Sequence, residues 1–309
     1  MQKDCQDDDG YAGEDRQLLI FGKDIHMKKL ISKYISLTGD EEDKRLALQN
    51  KALYFFDYEI YKRTFEKYDD PAILDIGCGT GNMIGSVLRE IPSYRLFGVD
   101  EVKRQINLAR ESFPSGHFYE LDVEAEDFFT SVSKIMDENA IEGFDVINCS
   151  MVILHLKDPT GILSGLRQLL SEKGTLIIRD IDDGIHFAWP DPENRFRRFC
   201  DIIAADDRLG DRRCGRKIFR YLKKAGYNDI HLEKEGLSTA DMDDGMLLYD
   251  MFFPDILHYM EQRHMDFPEN EQWKKDYYWF RDNNERMKRS FSGDDFIFSI
   301  GFMNYTARR

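Results

Sequence analysis

The stretch Ala72-Ile-Leu-Asp-Ile-Gly-Cys-Gly-Thr-Gly-Asn-Met83 constrains this chain more than any other. A short apolar run, Ile73–Ile76, leads into Gly77, Gly79 and Gly81, and a helix-like segment near Asn82–Glu90 follows. Glycines at alternate positions permit a tight turn and let a ligand come close to the backbone. In an open α/β sheet, ligands bind outside the carboxyl ends of the strands. A strand, a Gly-rich turn and a helix in that order point to an adenosine-type cofactor. The spacing rules out two common nucleotide sites. A G-x-G-x-x-G dinucleotide turn needs glycine where Asn82 stands, and there is no G-x-x-x-x-G-K-[ST] phosphate loop.

The pattern continues downstream. Apolar runs recur at Leu96–Val99, His117–Leu121, Phe144–Cys149 and Thr175–Ile181. Amphipathic segments separate them at Val102–Glu111, Ala125–Asn139 and Pro159–Leu170, and another follows at Glu193–Ala205. Such alternation, with runs rich in apolar and β-branched residues, predicts a parallel sheet covered on both faces. A helix over Arg213–Ala225 ends at Gly226, a sixth strand follows over Asn228–Leu232, and Phe296–Thr306 alternates like a last strand. Ahead of the sheet, helices are expected over Ile25–Ser36 and Glu42–Lys67, the second carrying Tyr54, Tyr58, Tyr61 and Phe65 at helical spacing. Between Leu237 and Asp295 the rhythm breaks. Those 59 residues hold 11 aromatics and six of the 12 methionines, with helices expected over Leu247–Arg263 and Glu271–Arg289.

Charge and cysteine usage narrow the class. Asp and Glu number 58 against 43 Lys and Arg, a net charge of -15. That excess disfavours nucleic acid and anionic membranes as partners. Arg195–Lys224 is a basic exception, with 11 Lys/Arg against four Asp, and suits an acidic group on a substrate. Five cysteines, an odd number with no C-x-x-C pair, suggest reduced thiols in a cytoplasmic protein without a disulfide framework or metal site.

Asp75-Ile-Gly-Cys-Gly-Thr-Gly81 closely resembles the D/E-x-G-x-G-x-G turn of the class I S-adenosylmethionine-dependent methyltransferases. The resemblance runs over about Ala72–Asp182. It implies a Rossmann-like, seven-stranded, mostly parallel sheet with helices on both faces and an antiparallel last strand. Residues 71–236 and 296–309 would form the cofactor-binding domain, 1–70 an N-terminal flexible leader and helices, and 237–295 a helical cap inserted before the last strand. It implies S-adenosylmethionine as cofactor, held by Asp75, Gly77, Cys78, Gly79 and Gly81 at the turn. Asp100 and Glu101 would stand at the ribose, Asp122 and Val123 at the adenine, and Ser150 at the methionine portion.

The sulfonium methyl of that cofactor is already activated, so an aligned nucleophile needs little more than proximity. A general base is required only for an acceptor that is protonated at working pH. His155, Asp180 and Tyr54 are the candidates for catalytic contact, and Tyr58, Asp182 and Trp189 for acceptor binding. Each has a structural alternative: a local hydrogen bond for His155, a solvated turn for the aspartates, and packing for the aromatics. The expected function is methyl transfer to a small-molecule acceptor. The alternatives are transfer to a protein or peptide side chain, and cofactor sensing without turnover. The insertion reads as a lid over a partly apolar acceptor, as a homodimer surface, or as a second small core.

Overall fold

The computed structural model describes residues 59–206, 209–242 and 244–309. Tyr54, Tyr58, the expected helix Ile25–Ser36 and most of Glu42–Lys67 lie outside these residues. The described part of helix α1 covers 59–65.

Strands β1 (Ala72–Ile76), β2 (Arg95–Asp100), β3 (His117–Glu120), β4 (Phe144–Ser150) and β5 (Leu170–Ile181) run parallel in the order β3-β2-β1-β4-β5. Every residue of β1 is buried, Asp75 included, which explains why its sequence is mostly apolar and not alternating. The switch point lies at β1, which pairs with β2 on one side and β4 on the other. That is where open α/β sheets form a crevice.

The long strand β8 (Ile297–Arg308) lies antiparallel to β5 and closes the sheet. Its other edge takes β7 (Asn228–Ser238), also antiparallel. The seven expected strands are joined by an eighth, β6 (Phe187–Trp189), paired with Ile297–Ser299 of β8. Its three residues are too few to show a period in sequence, and Phe187 and Trp189 face solvent at 56% and 72% exposure.

Helices α1, α2 (Asn82–Leu88) and α3 (Lys103–Ser112) cover one face. Ile60, Tyr61, Phe65, Ile84 and Ile106 meet Ile73, Leu96, Phe118, Val146 and Ile177 there. Tyr61 and Phe65 are therefore core residues. Between the strands lie α4 (Phe128–Glu138) and α5 (Pro159–Leu169); α5 starts with Pro159 and is capped by Asp158, whose Oδ1 accepts from Gly161 N at 3.0 Å. Next come α6 (Arg195–Ala204) and α7 (Gly215–Lys224); Tyr227, just beyond α7, donates its hydroxyl to Leu163 O of α5.

The aromatic insertion folds as two long helices, α8 (Met246–Asp266) and α9 (Glu271–Ser290). Phe253 stacks on Phe199 of α6 at 4.5 Å, and Phe199 meets Phe280 of α9 at 4.9 Å. Phe196 of α6 contacts Phe291, Phe296 and Phe298. These rings form a second apolar core between α6, the insertion and the start of β8. Among the described residues no helix is long and apolar enough to cross a membrane.

Candidate functional site

The turn between β1 and α2 holds Gly77 at φ 63°, Gly79 at φ 52° and Gly81 at φ 73°. All three lie in the left-handed region, where an L side chain costs energy. Gly77 has a second constraint. A Cβ there would meet Val152 Cγ2 at 2.7 Å, so the loop after β4 lies against the turn. At Gly79 a Cβ would meet no atom within 4 Å. The turn is thus closely backed at Gly77 and open at Gly79, as backbone that receives a ligand must be.

Asp100 braces this turn. Its Oδ2 accepts from Gly79 N at 2.9 Å and its Oδ1 from Val102 N at 2.8 Å. Each carboxylate oxygen has a further lone pair, so the group can still accept from a ribose hydroxyl. Glu101 beside it is exposed. Asp122 lies just past β3, exposed, with Oδ1 accepting from Glu124 N at 2.8 Å, and Val123 is half-buried. Glu124 in turn accepts from Lys157 N at 2.7 Å, which joins the loop after β3 to the loop after β4.

Asp75 is buried at 3% exposure. Its Oδ1 accepts from Asn148 Nδ2 at 2.6 Å, and Asn148 Oδ1 accepts from the Tyr61 hydroxyl at 2.9 Å. Burial raises the Asp75 carboxyl to about 7; the Asn148 hydrogen bond pulls it down and the nearby Asp100 charge adds to the rise. Cys78 donates its backbone N–H to Val99 O at 3.0 Å. Burial first, then Asp75 and Asp100, push its thiol well above the ordinary range, so it stays protonated.

The tip of β4 carries a feature the sequence did not signal. Met151 adopts φ 56°, an uncommon value for a residue with a side chain, and donates its N–H to Arg179 O at 2.8 Å. Such outliers cluster where a backbone must be aimed. Ser150 precedes it and is buried. The short helix Ile153–His155 then brings His155 to the surface. Although its outer edge is exposed, the ring is crowded on the inner side. That partial desolvation, with Arg212 adding to it, holds the imidazole below its usual pKa. Gly210 packs against Leu154 O and His155 Nδ1, which places residues 209–214 over this loop.

The aspartates after β5 have partners within the fold. Asp180 is fully buried; its Oδ2 accepts from Leu154 N at 3.2 Å and its Oδ1 from Ile181 N at 2.9 Å. Burial raises it to about 6, while those backbone donors pull it down. Asp180 therefore anchors the loop that carries His155. Asp182 takes a forked hydrogen bond from Arg216, with Nη2 to Oδ1 at 2.6 Å and Nε to Oδ2 at 2.8 Å. Desolvation works to raise its pKa, and the Arg216 bonds with the backbone N–H groups of Arg216 and Gly184 outweigh it. Asp183 is held by Arg212 at 2.7 and 3.0 Å. Two arginines of the basic stretch thus fasten α7 and its leading loop to the end of β5. Trp189 stands exposed on β6.

A cleft of about 470 Å³ lies away from the turn, between α6 and the insertion. Its wall includes Arg197, Arg263, Trp273 and Asp276. Arg263 is ion-paired with Asp206 and Arg197 with Asp201, so its charges are largely matched within the fold. None of the strand-tip residues lines it. Strand-tip geometry, and not cavity size, locates the candidate site.

The residues at the turn fit a nucleoside cofactor: an open backbone at Gly79, a carboxylate at the end of β2, and another just past β3. A family described as a methyltransferase domain matches residues 68–284, more than two thirds of the chain. The chain belongs to that family. Malonyl-[acyl-carrier protein] O-methyltransferase of Halalkalibacterium halodurans is 30% identical over 119 residues, 38% of this chain and 41% of that one. A ubiquinone biosynthesis O-methyltransferase of Pasteurella multocida is 28% identical over 113 residues, 36% of this chain and 46% of its own. The match spans less than half the length of either relative. The YcgJ protein from Bacillus subtilis aligns in structure over 82% of this chain and 99% of its own, with TM-score 0.49 and 15% identity.

Proposed function

We propose that this protein transfers a methyl group from S-adenosylmethionine to a small-molecule acceptor. The observation that carries the reading is the turn itself: Gly77, Gly79 and Gly81 in the left-handed region, braced by Asp100 and open above Gly79. Membership of a methyltransferase-domain family fixes the kind of cofactor such a turn is built for. The names of the relatives, O-methyltransferases in both cases, favour a small or carrier-bound acceptor over nucleic acid.

When bound, the cofactor supplies an electrophilic methyl group. The chain's residues supply position and a dry surrounding. Gly79 offers its backbone, Asp100 and Asp122 offer carboxylates to hydroxyl and amino groups, and the loop Ser150–Val152 backs the turn. His155 is the group suited to take a proton from an acceptor hydroxyl. Its lowered pKa keeps it neutral near pH 7, with a ring nitrogen free to accept. Asp180 acts through the backbone of the His155 loop. Cys78, Cys149, Cys200 and Cys214 are buried free thiols, which suits a reducing compartment, and we place the protein in the cytoplasm.

Isothermal calorimetry with S-adenosylmethionine and S-adenosylhomocysteine tests the reading, with Asp100→Ala as control. Micromolar binding, weakened in the variant by about 10-fold or more, is expected. Transfer of labelled methyl into a metabolite extract, compared with a proteome extract, separates small-molecule from protein acceptors. Absence of binding by both cofactor forms would overturn the proposal, and binding with no labelled product in either extract would favour a sensor.

A further inference from the structure

Tyr61 and Asp75 sit 14 residues apart in sequence, one in α1 and one in β1, and the link between them runs through a third element. Tyr61 reaches Asn148 of β4, and Asn148 reaches Asp75. Tyr61 and Asn148 are at 0% exposure and Asp75 at 3%. While Asp75 is ionised, the polarity of the chain is set by chemistry: a carboxylate only accepts, so the amide points its NH₂ at Asp75 and its oxygen at the hydroxyl, and the hydroxyl donates. Nothing in core packing calls for three buried polar groups in series. Apolar groups of the same shape would stabilise about as well.

We propose that Tyr61 and Asn148 are positioning residues that set the proton occupancy of Asp75, and through it the hold of the Gly77–Gly81 turn on a positively charged cofactor. This rests on the S-adenosylmethionine reading above and deepens it. The groups around Asp75 are few. Asp100 stands at the end of β2, Cys78 lies in the turn, Cys149 adjoins on β4, and α1 contributes the Tyr61 hydroxyl through Asn148. Both thiols are pushed well above their usual range, mainly by burial, and stay neutral. Asp100 is then the one neighbouring charge among these. With the amide donating, the ionised carboxylate is accessible near neutral pH, and it adds to Asp100 in attracting cationic centres. Without the Tyr61 hydroxyl, the amide is free to turn over. Its oxygen would then face Asp75, an arrangement only the protonated acid tolerates. The side chain in α1 thus acts on the cofactor turn without touching the cofactor.

Two measurements on the full chain test this. Aspartate carboxyl carbons labelled with ¹³C are followed by NMR from pH 4 to 9, the Asp75 signal being the one missing from Asp75→Asn. The expected midpoint is near 7 in the wild type, about one unit higher in Tyr61→Phe, and lower when S-adenosylmethionine saturates the protein. In parallel, calorimetry should show S-adenosylmethionine, which carries the sulfonium cation, binding about 10-fold tighter at pH 8.5 than at pH 5.5, with Asp75→Asn flattening that dependence. A wild-type midpoint near 4, or the same midpoint in Tyr61→Phe, overturns the relay. Should Tyr61→Phe not fold, the wild-type midpoint and its displacement by ligand still decide. A relay that titrates as expected beside pH-independent binding overturns the coupling to the turn. If the NMR arm behaves as expected and no ligand binds at any pH, the cofactor reading fails and the hydrogen-bonded relay stands.

Discussion

At the tips of β1–β4 the polar groups are turned towards backbone and open space, whereas around α6, α8 and α9 they are turned towards each other. Asp100 and Asp122 each accept a neighbouring N–H and keep lone pairs to spare. Around the insertion, Arg263 is paired with Asp206 and lies 4.5 Å over the Trp273 ring, and Arg198 lies 4.5 Å over Trp279. The aromatics beneath are stacked in a closed cluster. The contrast separates two jobs. The strand tips hold unspent hydrogen-bonding capacity at fixed positions, which is what recognition needs. The insertion instead matches Arg263 with Asp206 and stacks its rings on one another, which is what a buttress needs. The density of Met and aromatics in residues 237–295 therefore indicates burial first, and an acceptor wall only where rings remain exposed.

Three substitutions can break or sharpen this contrast. The largest effect is expected for Phe253→Ala, at the centre of the aromatic cluster and fully buried. A loss of about 3–5 kcal/mol in unfolding free energy should appear in denaturant titration, with cofactor affinity measured on the folded fraction nearly unchanged. A large affinity loss there would show that the insertion shapes the cofactor site directly. Gly77→Ala should do the reverse. The added methyl meets Val152 and sits at φ 63°, so cofactor affinity should fall by about 100-fold, equivalent to ~3 kcal/mol. Thermal unfolding should shift less than in Phe253→Ala. Trp189→Ala should have the smallest effect, within about 0.5 kcal/mol of wild-type stability, because its ring is 72% exposed. If Trp189 contacts the acceptor, KM for the acceptor rises in this variant while cofactor binding stays constant.

Much of the sheet could be read in the chain because β1, β4 and the second half of β5 are buried on both faces, and largely apolar runs between helical segments announce them. The glycine spacing located the turn for a similar reason: its conformation demands residues without side chains. What the sequence hid lies in pairings across long separations. Asp182 looks like a rim carboxylate until Arg216, 34 residues later, is found clasping it, and Asp183 beside it is held in the same way by Arg212, 29 residues on. Tyr61 looks like a packing aromatic, and its ring is one, but its hydroxyl finds Asn148 87 residues away. The left-handed Met151 carries no residue signal at all, because the strain is imposed by its surroundings.

The strand β8 serves β5, β6 and β7 at once. During synthesis it leaves the ribosome after all three. Until residues 297–308 arrive, β5 presents an open edge and β7 has no neighbour to pair with. The glycine turn can form early, but the sheet beneath it stays unfinished, exposing an apolar edge that invites other chains. Newly made chains should therefore depend on chaperones over the interval set by translation of the insertion, and slower translation of codons 237–295 would lengthen it.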